Sequence, residues 1–322
     1  MAAGLPGRLT MSDAPRVTAV WRDRMAVGTE AKETLRMRSP NPGSSRSPTA
    51  RVVILMALHN GAAHLNDQLE SLARQTHGDW SLRISDDRSS DDGPAICERF
   101  AATMPGYDIC LTHGPGRGAA RNFLSLLQTC DPRAEYAAFC DQDDVWRPEK
   151  LTHALTHLSR VPAGRPALYC GRTIVTDDRL NVRGHSPDFT HPPGFANALV
   201  QSIAGGNTMV LNRAALDLMR MAARYDGPVP AHDWWCYQVI TGAGGQVIFD
   251  TNPQVLYRQH GRNLVGSNLG VPARLSRLHR LCNGTYRSWT DQNLTALQAI
   301  SPLLTDAALE TLATFRAIRD AT

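Results

Sequence analysis

Three carboxylates crowd into four positions of the stretch Phe139-Cys140-Asp141-Gln142-Asp143-Asp144-Val145-Trp146, directly behind an apolar run. Like charges this close repel one another, and none is cheap to desolvate. Either the segment is a solvated turn or something cationic sits there. Asp141 and Asp143 stand two apart, so on an extended or turn segment both can face one hard divalent ion, Mg2+ or Mn2+, which would also take diphosphate oxygens and water. Such an ion offsets the charge that develops on a departing nucleotide diphosphate. The apolar run before the trio, and the Val145-Trp146 pair and proline-started helix after it, favour the ion.

Four other clusters carry candidate chemistry. Asp86-Asp87 closes an apolar stretch, where a carboxylate can accept a base N–H or a ribose hydroxyl. The same residues fit a turn whose side chains cap the next helix, and taken alone they favour that turn. Gly114, Gly116 and Gly118 lead to Arg117 and Arg121, either of which can reach a phosphate. A loop of left-handed glycines entering a helix explains them equally well. In His232-Asp233-Trp234-Trp235, Asp233 can act as a general base on an acceptor hydroxyl, and the tryptophans can stack on sugar faces. Alternatively Asp233 is an acid in a helix's first turn and both tryptophans are core. His260 can be a metal or phosphate contact, since neutral imidazole ligates divalent ions, or a structural histidine. Signatures of serine or cysteine nucleophiles, of a P-loop and of zinc sites are not read here.

The elements that must hold these residues alternate. Val52 to Leu58 is continuously apolar, the pattern of a strand buried on both faces. Leu65, Leu69 and Leu72 follow at helical spacing. Strand-like "WSLRIS", "YDICLTH" and "EYAAFC" then alternate with helix-like "DDGPAICERFAATM", "GAARNFLSLLQTC" and "RPEKLTHALTHL". This alternation predicts an α/β fold with a mostly parallel sheet flanked by helices. In such sheets ligands gather beyond the carboxyl ends of the strands. Polar clusters follow three predicted strands: "HNG", "SDDRSSDD" and "DQDD". The second half is less regular: "PALYCGRTIVTD" reads as a strand pair or one long strand. From about Val271 the chain is Arg-rich and then amphipathic, predicting one or two helices packed on the core or on a partner.

Three segments are therefore expected: a flexible tail over 1–50, a catalytic domain over 51–270, and a helical extension over 271–322. Residues 1–50 hold eight Lys/Arg against four acids, so they carry the whole formal charge of +4 and the other 272 residues are neutral. A basic nucleic-acid groove in the folded part is not expected. Seven widely spaced cysteines suit free thiols in a reducing compartment. No apolar run approaches bilayer length, and the N-terminus lacks the pattern of a secretory signal. Cytoplasmic residence is expected, with the C-terminal segment a candidate for peripheral contact with the membrane's inner face. The Asn283 and Asn293 sequons then read as chance matches.

Taken together, "ILMALHNGAAHLNDQLESLARQT", "ISDDRSSDDG", "GAARNFLSLL", "FCDQDDVWRPEKL", "GGNTMVLNR", "HDWW" and "YRQHGRNLVG" resemble family 2 glycosyltransferases of the GT-A fold, in particular the bacterial rhamnosyltransferase-type branch that builds surface polysaccharides. The likeness runs from about Arg51 to Gly270. His59 stands where that family often has Tyr, Arg88 where it often has Gly, and "SSDDG" where "StDgT" is usual. The resemblance implies a GT-A, Rossmann-like sheet and a metal-dependent, inverting transfer of a sugar from a nucleotide-diphospho-sugar, dTDP-L-rhamnose for instance, to a glycan or lipid-linked glycan. It implies nucleotide contacts at Ala57, Asn60, Asp86 and Asp87, with Arg121 and Asp141 beside them. Asp141 and Asp143 would form the acidic motif for Mn2+ or Mg2+, with His260 as a further contact. Asp233 would be the base, and Gly205, Gly206, Asn207 and Trp234 would border the acceptor. Arg88, near the base pocket, would alter which nucleotide fits. Two other readings are a metal-dependent nucleotidyltransferase or phosphohydrolase, and a non-catalytic glycan-binding module. The first lacks a basic loop after the opening strand; the second leaves the acidic motif and Asp233 unexplained.

Overall fold

The computed structural model describes residues 51–131, 133–203, 205–260 and 284–321. The expected tail over 1–50 lies outside the described residues, and so do 261–283, including the first part of the expected extension.

Strand β1 (Val52–Leu58) runs through the middle of the molecule. Val52, Ile54, Met56 and Leu58 face one apolar layer, and Val53 and Leu55 face the other. A strand whose side chains alternate between two dry layers must be apolar throughout, which is the continuous run of the sequence. Each such aliphatic side chain contributes about 1.5–3 kcal/mol through burial.

Three strands pair around it: β2 (Trp80–Asp86) and β3 (Asp108–His113) to one side, β4 (Tyr136–Cys140) to the other. Helices α1 (Leu65–Ala73), α2 (Gly93–Thr103) and α3 (Ala119–Thr129) make the crossovers. With β6 (Ala167–Gly171), β9 (Val210–Asn212) and β10 (Gln246–Asp250) the sheet has seven strands in the order β10-β6-β9-β4-β1-β2-β3. All are parallel except β9, which runs antiparallel to both β4 and β6. One face is covered by α1, α2 and α4 (Lys150–Leu158). The other is covered by α3, α6 (Arg213–Ala222) and α7 (His232–Gly242).

A second sheet, in the order β5-β11-β7-β8, is built from β5 (Val145–Trp146), β7 (Ile174–Thr176), β8 (Val182–His185) and β11 (Val255–Arg258). The stretch "PALYCGRTIVTD", read as a strand pair or one long strand, does hold two strands, but they do not pair with each other. The stretch splits between two sheets, β6 in the large one and β7 in the small one. The break falls at Gly171, where a Cβ would sit 2.8 Å from the Asp250 carbonyl oxygen.

Two helices close the described chain, Thr285–Ala299 and Asp306–Asp320. Their Leu294, Leu297 and Leu312 join the apolar layer of α3, α6 and α7. Asn293 is 2% exposed, so that sequon is buried in a helix. No helix among the described residues is long and apolar enough to cross a membrane.

Candidate active site

Chain order reverses between β1 and β4, which places the crevice of an open α/β sheet at their carboxyl ends. Asp141 follows β4 there. Its neighbour Gln142 bridges the two strand ends: its Oε1 accepts the His59 backbone N–H at 2.8 Å and its Nε2 donates to the His59 carbonyl at 3.0 Å. The Asp141 carboxyl is pushed well above the usual carboxylate range, first by burial and then by the charges of Asp144, Asp143 and Asp233. Asp233, the residue expected as base at the start of α7, exerts the smallest of these three charge effects, and its Oδ1 accepts the Trp234 backbone N–H at 2.7 Å.

Asp144 is fully buried and accepts two donors, Asn207 Nδ2 at 2.5 Å and the Arg258 backbone N–H at 3.0 Å. Burial and Asp143 push its carboxyl up to about 8, and these two donors pull the other way. Each donor arrives for a topological reason. Because β9 runs against its neighbours, the 3₁₀ turn Gly206–Thr208 that precedes it lies at the carboxyl edge, beside Asp144. Because β11 pairs antiparallel with β5 (Val255 with Trp146, Leu256 with Val145), the residues after Leu256 pass back along Asp144 and Asp143. Arg258 Nε donates to the Asp143 carbonyl at 2.9 Å, and His260 Nε2 lies 2.7 Å from Asp143 Oδ2. Arg258 is 3% exposed and also donates to the Asp178 carbonyl and the Asp67 carboxylate, both at 2.6 Å. Beneath the trio, the buried Lys150 Nζ sits 3.3 Å from the Trp146 ring centre. Burial lowers its ammonium to about 7, against the pull of Cys140, Asp144 and Asp141.

The candidate nucleotide residues line the β1–β2 side of the crevice. Ala57 is on β1, one register step from Asp86. Asn60 is held in the left-handed region (φ 49°), and its Oδ1 accepts the Ser90 N–H at 2.8 Å. Asp86 is 8% exposed and accepts the Ser89 N–H at 3.2 Å. The Asp87 carboxylate is filled by the N–H groups of Gly116 at 2.5 Å and Gly118 at 2.8 Å. The glycine loop is therefore folded around Asp87. Arg88 also has a left-handed backbone (φ 68°), and its guanidinium lies against the Cα of Gly116.

Four expected positions have their side chains or surroundings engaged within the fold. Arg121, expected beside the donor phosphate, donates to the carbonyls of Tyr225 (2.7 Å) and Gly227 and pins that loop to α3. Trp234, expected at the acceptor, is 6% exposed and spends its indole N–H on the Ala198 carbonyl at 2.7 Å, because α7 is buried from its third residue through Ile240. Asn207 is 2% exposed and engaged by Asp144. Gly206 is buried against the His232 imidazole, which stacks on Phe123 with ring centres 3.9 Å apart. Gln142, Lys150, Arg258 and His232 were missed by sequence reading. Only the proximity of Gln142 and Lys150 to the trio could have signalled them.

Known proteins resemble this chain as follows. The family model described as "Glycosyl transferase family 2" matches residues 53–216. The chain is 29% identical over 240 residues to the dTDP-rhamnosyl transferase RfbG of Shigella flexneri, covering 72% of this chain and 81% of that protein. It is 26% identical over 157 residues to Protein CgeD of Bacillus subtilis, covering 48% of this chain and 35% of that one. Two solved structures share the fold. The mannosyltransferase PcManGT from Pyrobaculum calidifontis, in complex with GDP-Man and Mn2+, superposes with a TM-score of 0.51 at 19% identity, covering 87% of this chain and 82% of its own. S. aureus TarS 1–349 in complex with UDP-GlcNAc gives a TM-score of 0.52 at 15% identity, covering 72% and 65%.

Proposed function

The chain belongs to glycosyl transferase family 2 and has the GT-A fold, and we propose that it transfers L-rhamnose from dTDP-rhamnose, with inversion, to a hydroxyl of a glycan or lipid-linked glycan. Membership sets aside the nucleotidyltransferase, phosphohydrolase and glycan-binding readings. The donor assignment rests on the similarity to the dTDP-rhamnosyl transferase of Shigella flexneri. The catalytic assignment is supported by one relationship: burial raises the Asp141 carboxyl, and so do the charges of Asp144 and Asp143 from its own loop and of Asp233 from α7.

The donor set suits a divalent ion. Oxygen ligands from Asp141 and Asp143 and an imidazole from His260 match Mn2+ or Mg2+, and a cation would relieve the crowding that raises Asp141. When bound, the ion neutralises charge on the departing diphosphate. Asp144 is a positioning residue: with Asn207 and Arg258 it fixes the loop that presents Asp141 and Asp143. Ala57, Asn60 and Asp86 hold the base and ribose. Asp233 takes the proton of the acceptor hydroxyl as its oxygen attacks the anomeric carbon from the face opposite the diphosphate. A base of this kind contributes about 10²–10⁴-fold, and positioning and charge stabilisation supply the remainder.

The test is nucleoside diphosphate release from a panel of sugar nucleotides with and without Mn2+. Fastest release from dTDP-rhamnose, dependent on Mn2+, is the expected result. Faster release from another donor overturns the sugar assignment, and metal-independent turnover overturns the ion.

A further inference from the structure

We propose that the chain carries a second metal site, away from the acidic crevice, in which His153, His157 and Asp250 bind one zinc-class ion. Among the described residues, ligand atoms of these three lie within 4.8 Å of one another. His153 and His157 are four positions apart on α4, so their rings project from one helix face. Asp250 is the last residue of β10, the strand at the sheet's edge, and approaches from 93 residues away.

The carboxylate is prepared for this role. Its Oδ1 accepts the Asn252 N–H at 2.9 Å, leaving Oδ2 turned to the imidazoles. His153 Nδ1 lies 3.1 Å and His157 Nε2 3.9 Å from Oδ2. Tyr169, on the paired strand β6 and 2% exposed, donates its hydroxyl to the same Oδ2 at 2.7 Å. A hydrogen bond from a buried group to a ligating carboxylate is how metal sites fix ligand orientation. The Asp250 backbone is fixed as well, its carbonyl accepting the Arg172 N–H at 3.0 Å. An ion pair needs one imidazole per carboxylate, whereas two imidazoles and a carboxylate converging on one point match a three-ligand tetrahedral site. The fourth position would be water from the open side, where the imidazoles are 36% and 31% exposed. Two nitrogen donors favour Zn2+, Co2+, Ni2+ or Cu2+ over the Mg2+ or Mn2+ of an all-oxygen site.

The ion would clamp α4 to the end of β10. Both elements lead into the acidic crevice, α4 from Lys150 and β10 through Gln254, whose carbonyl accepts the Arg147 N–H at 2.9 Å, into β11. The site would therefore join α4 to β10 behind the crevice while keeping one position open to water.

The experiment titrates Co2+ into untagged, chelator-treated full chain with excess Mn2+ present, following visible d–d absorption and the thermal midpoint. Wild type and Asp143→Asn are expected to bind one Co2+ per chain with tetrahedral bands and a raised midpoint. His153→Gln and His157→Gln, checked by circular dichroism for a native fold, are expected to lose the bands and bind at least tenfold more weakly. Equal binding by all four proteins, no binding by wild type, or loss confined to Asp143→Asn overturns the proposal.

Discussion

His260 Nε2 and Asp143 Oδ2 meet at 2.7 Å although 117 positions separate them. What joins them is the antiparallel pairing of β11 with the two-residue strand that follows the acidic trio. The crevice is thus closed by the second sheet, while the first supplies its floor.

Replacing Asp233 with Asn should lower kcat about 10²–10⁴-fold, the share of a positioned base, and leave the Kd for the nucleoside diphosphate unchanged. Steady-state kinetics and calorimetry of the same preparation check it. Full turnover in this variant removes Asp233 from the mechanism.

Asn207→Ala strips one donor from the buried Asp144 carboxylate. The expected cost is about 1–3 kcal/mol in urea unfolding, with weaker metal-dependent donor binding. If the variant instead raised only the acceptor's KM, Asn207 would be an acceptor contact after all.

Half-buried His232, with its Nε2 fully covered and its imidazole lowered to about 4 by desolvation, should make the fold acid-sensitive. Between about pH 4 and the ordinary histidine value near 6.5 the unfolded chain holds a proton that the folded chain does not. Stability from this group is therefore complete above about pH 6.5 and falls as pH drops toward 4, by at most about 1.4 kcal/mol per pH unit. Thermal midpoints measured across that window should fall with acid in the wild type and less steeply in His232→Phe.

Arg88→Gly relieves a left-handed backbone at a cost of about 1–2 kcal/mol to an L-residue, against about 0.5–1 kcal/mol of added unfolded-state entropy. A gain of up to about 1 kcal/mol in denaturant unfolding is expected. A loss would show that the guanidinium over Gly116 stabilises the loop more than the backbone strain destabilises it.

The sheet was legible because β1 writes its burial as seven apolar residues in a row, and the helices crossing over it write theirs as leucines three and four apart. Asp141 and Asp143 stood out in the sequence because charge at the end of an apolar run is costly without a purpose, and Asp233 stood out through the motif it opens with Trp234 and Trp235. That the Trp234 indole and the Arg121 guanidinium both donate to backbone carbonyls was not legible, because residue type cannot tell which side of a helix faces the core. The strands β7 and β11 lie in stretches that read as strands, but their grouping into a separate small sheet was not legible, because strands of two to four residues have no period that assigns them a partner. The histidine pair on α4 went unread in the sequence, because the carboxylate that gives it meaning arrives through the fold alone.

Arg258 touches Asp67, Asp143, Asp144 and Asp178, the farthest 191 positions away. Chains emerge from the ribosome N-terminus first, and contacts between distant segments form late. The large sheet through β9 can assemble while β11 is still unsynthesised, but the guanidinium that gathers four segments cannot yet be present. A nascent chain stalled before residue 258 would lack the guanidinium that ties these segments together, so the acidic rim stays uncompensated until β11 has been made.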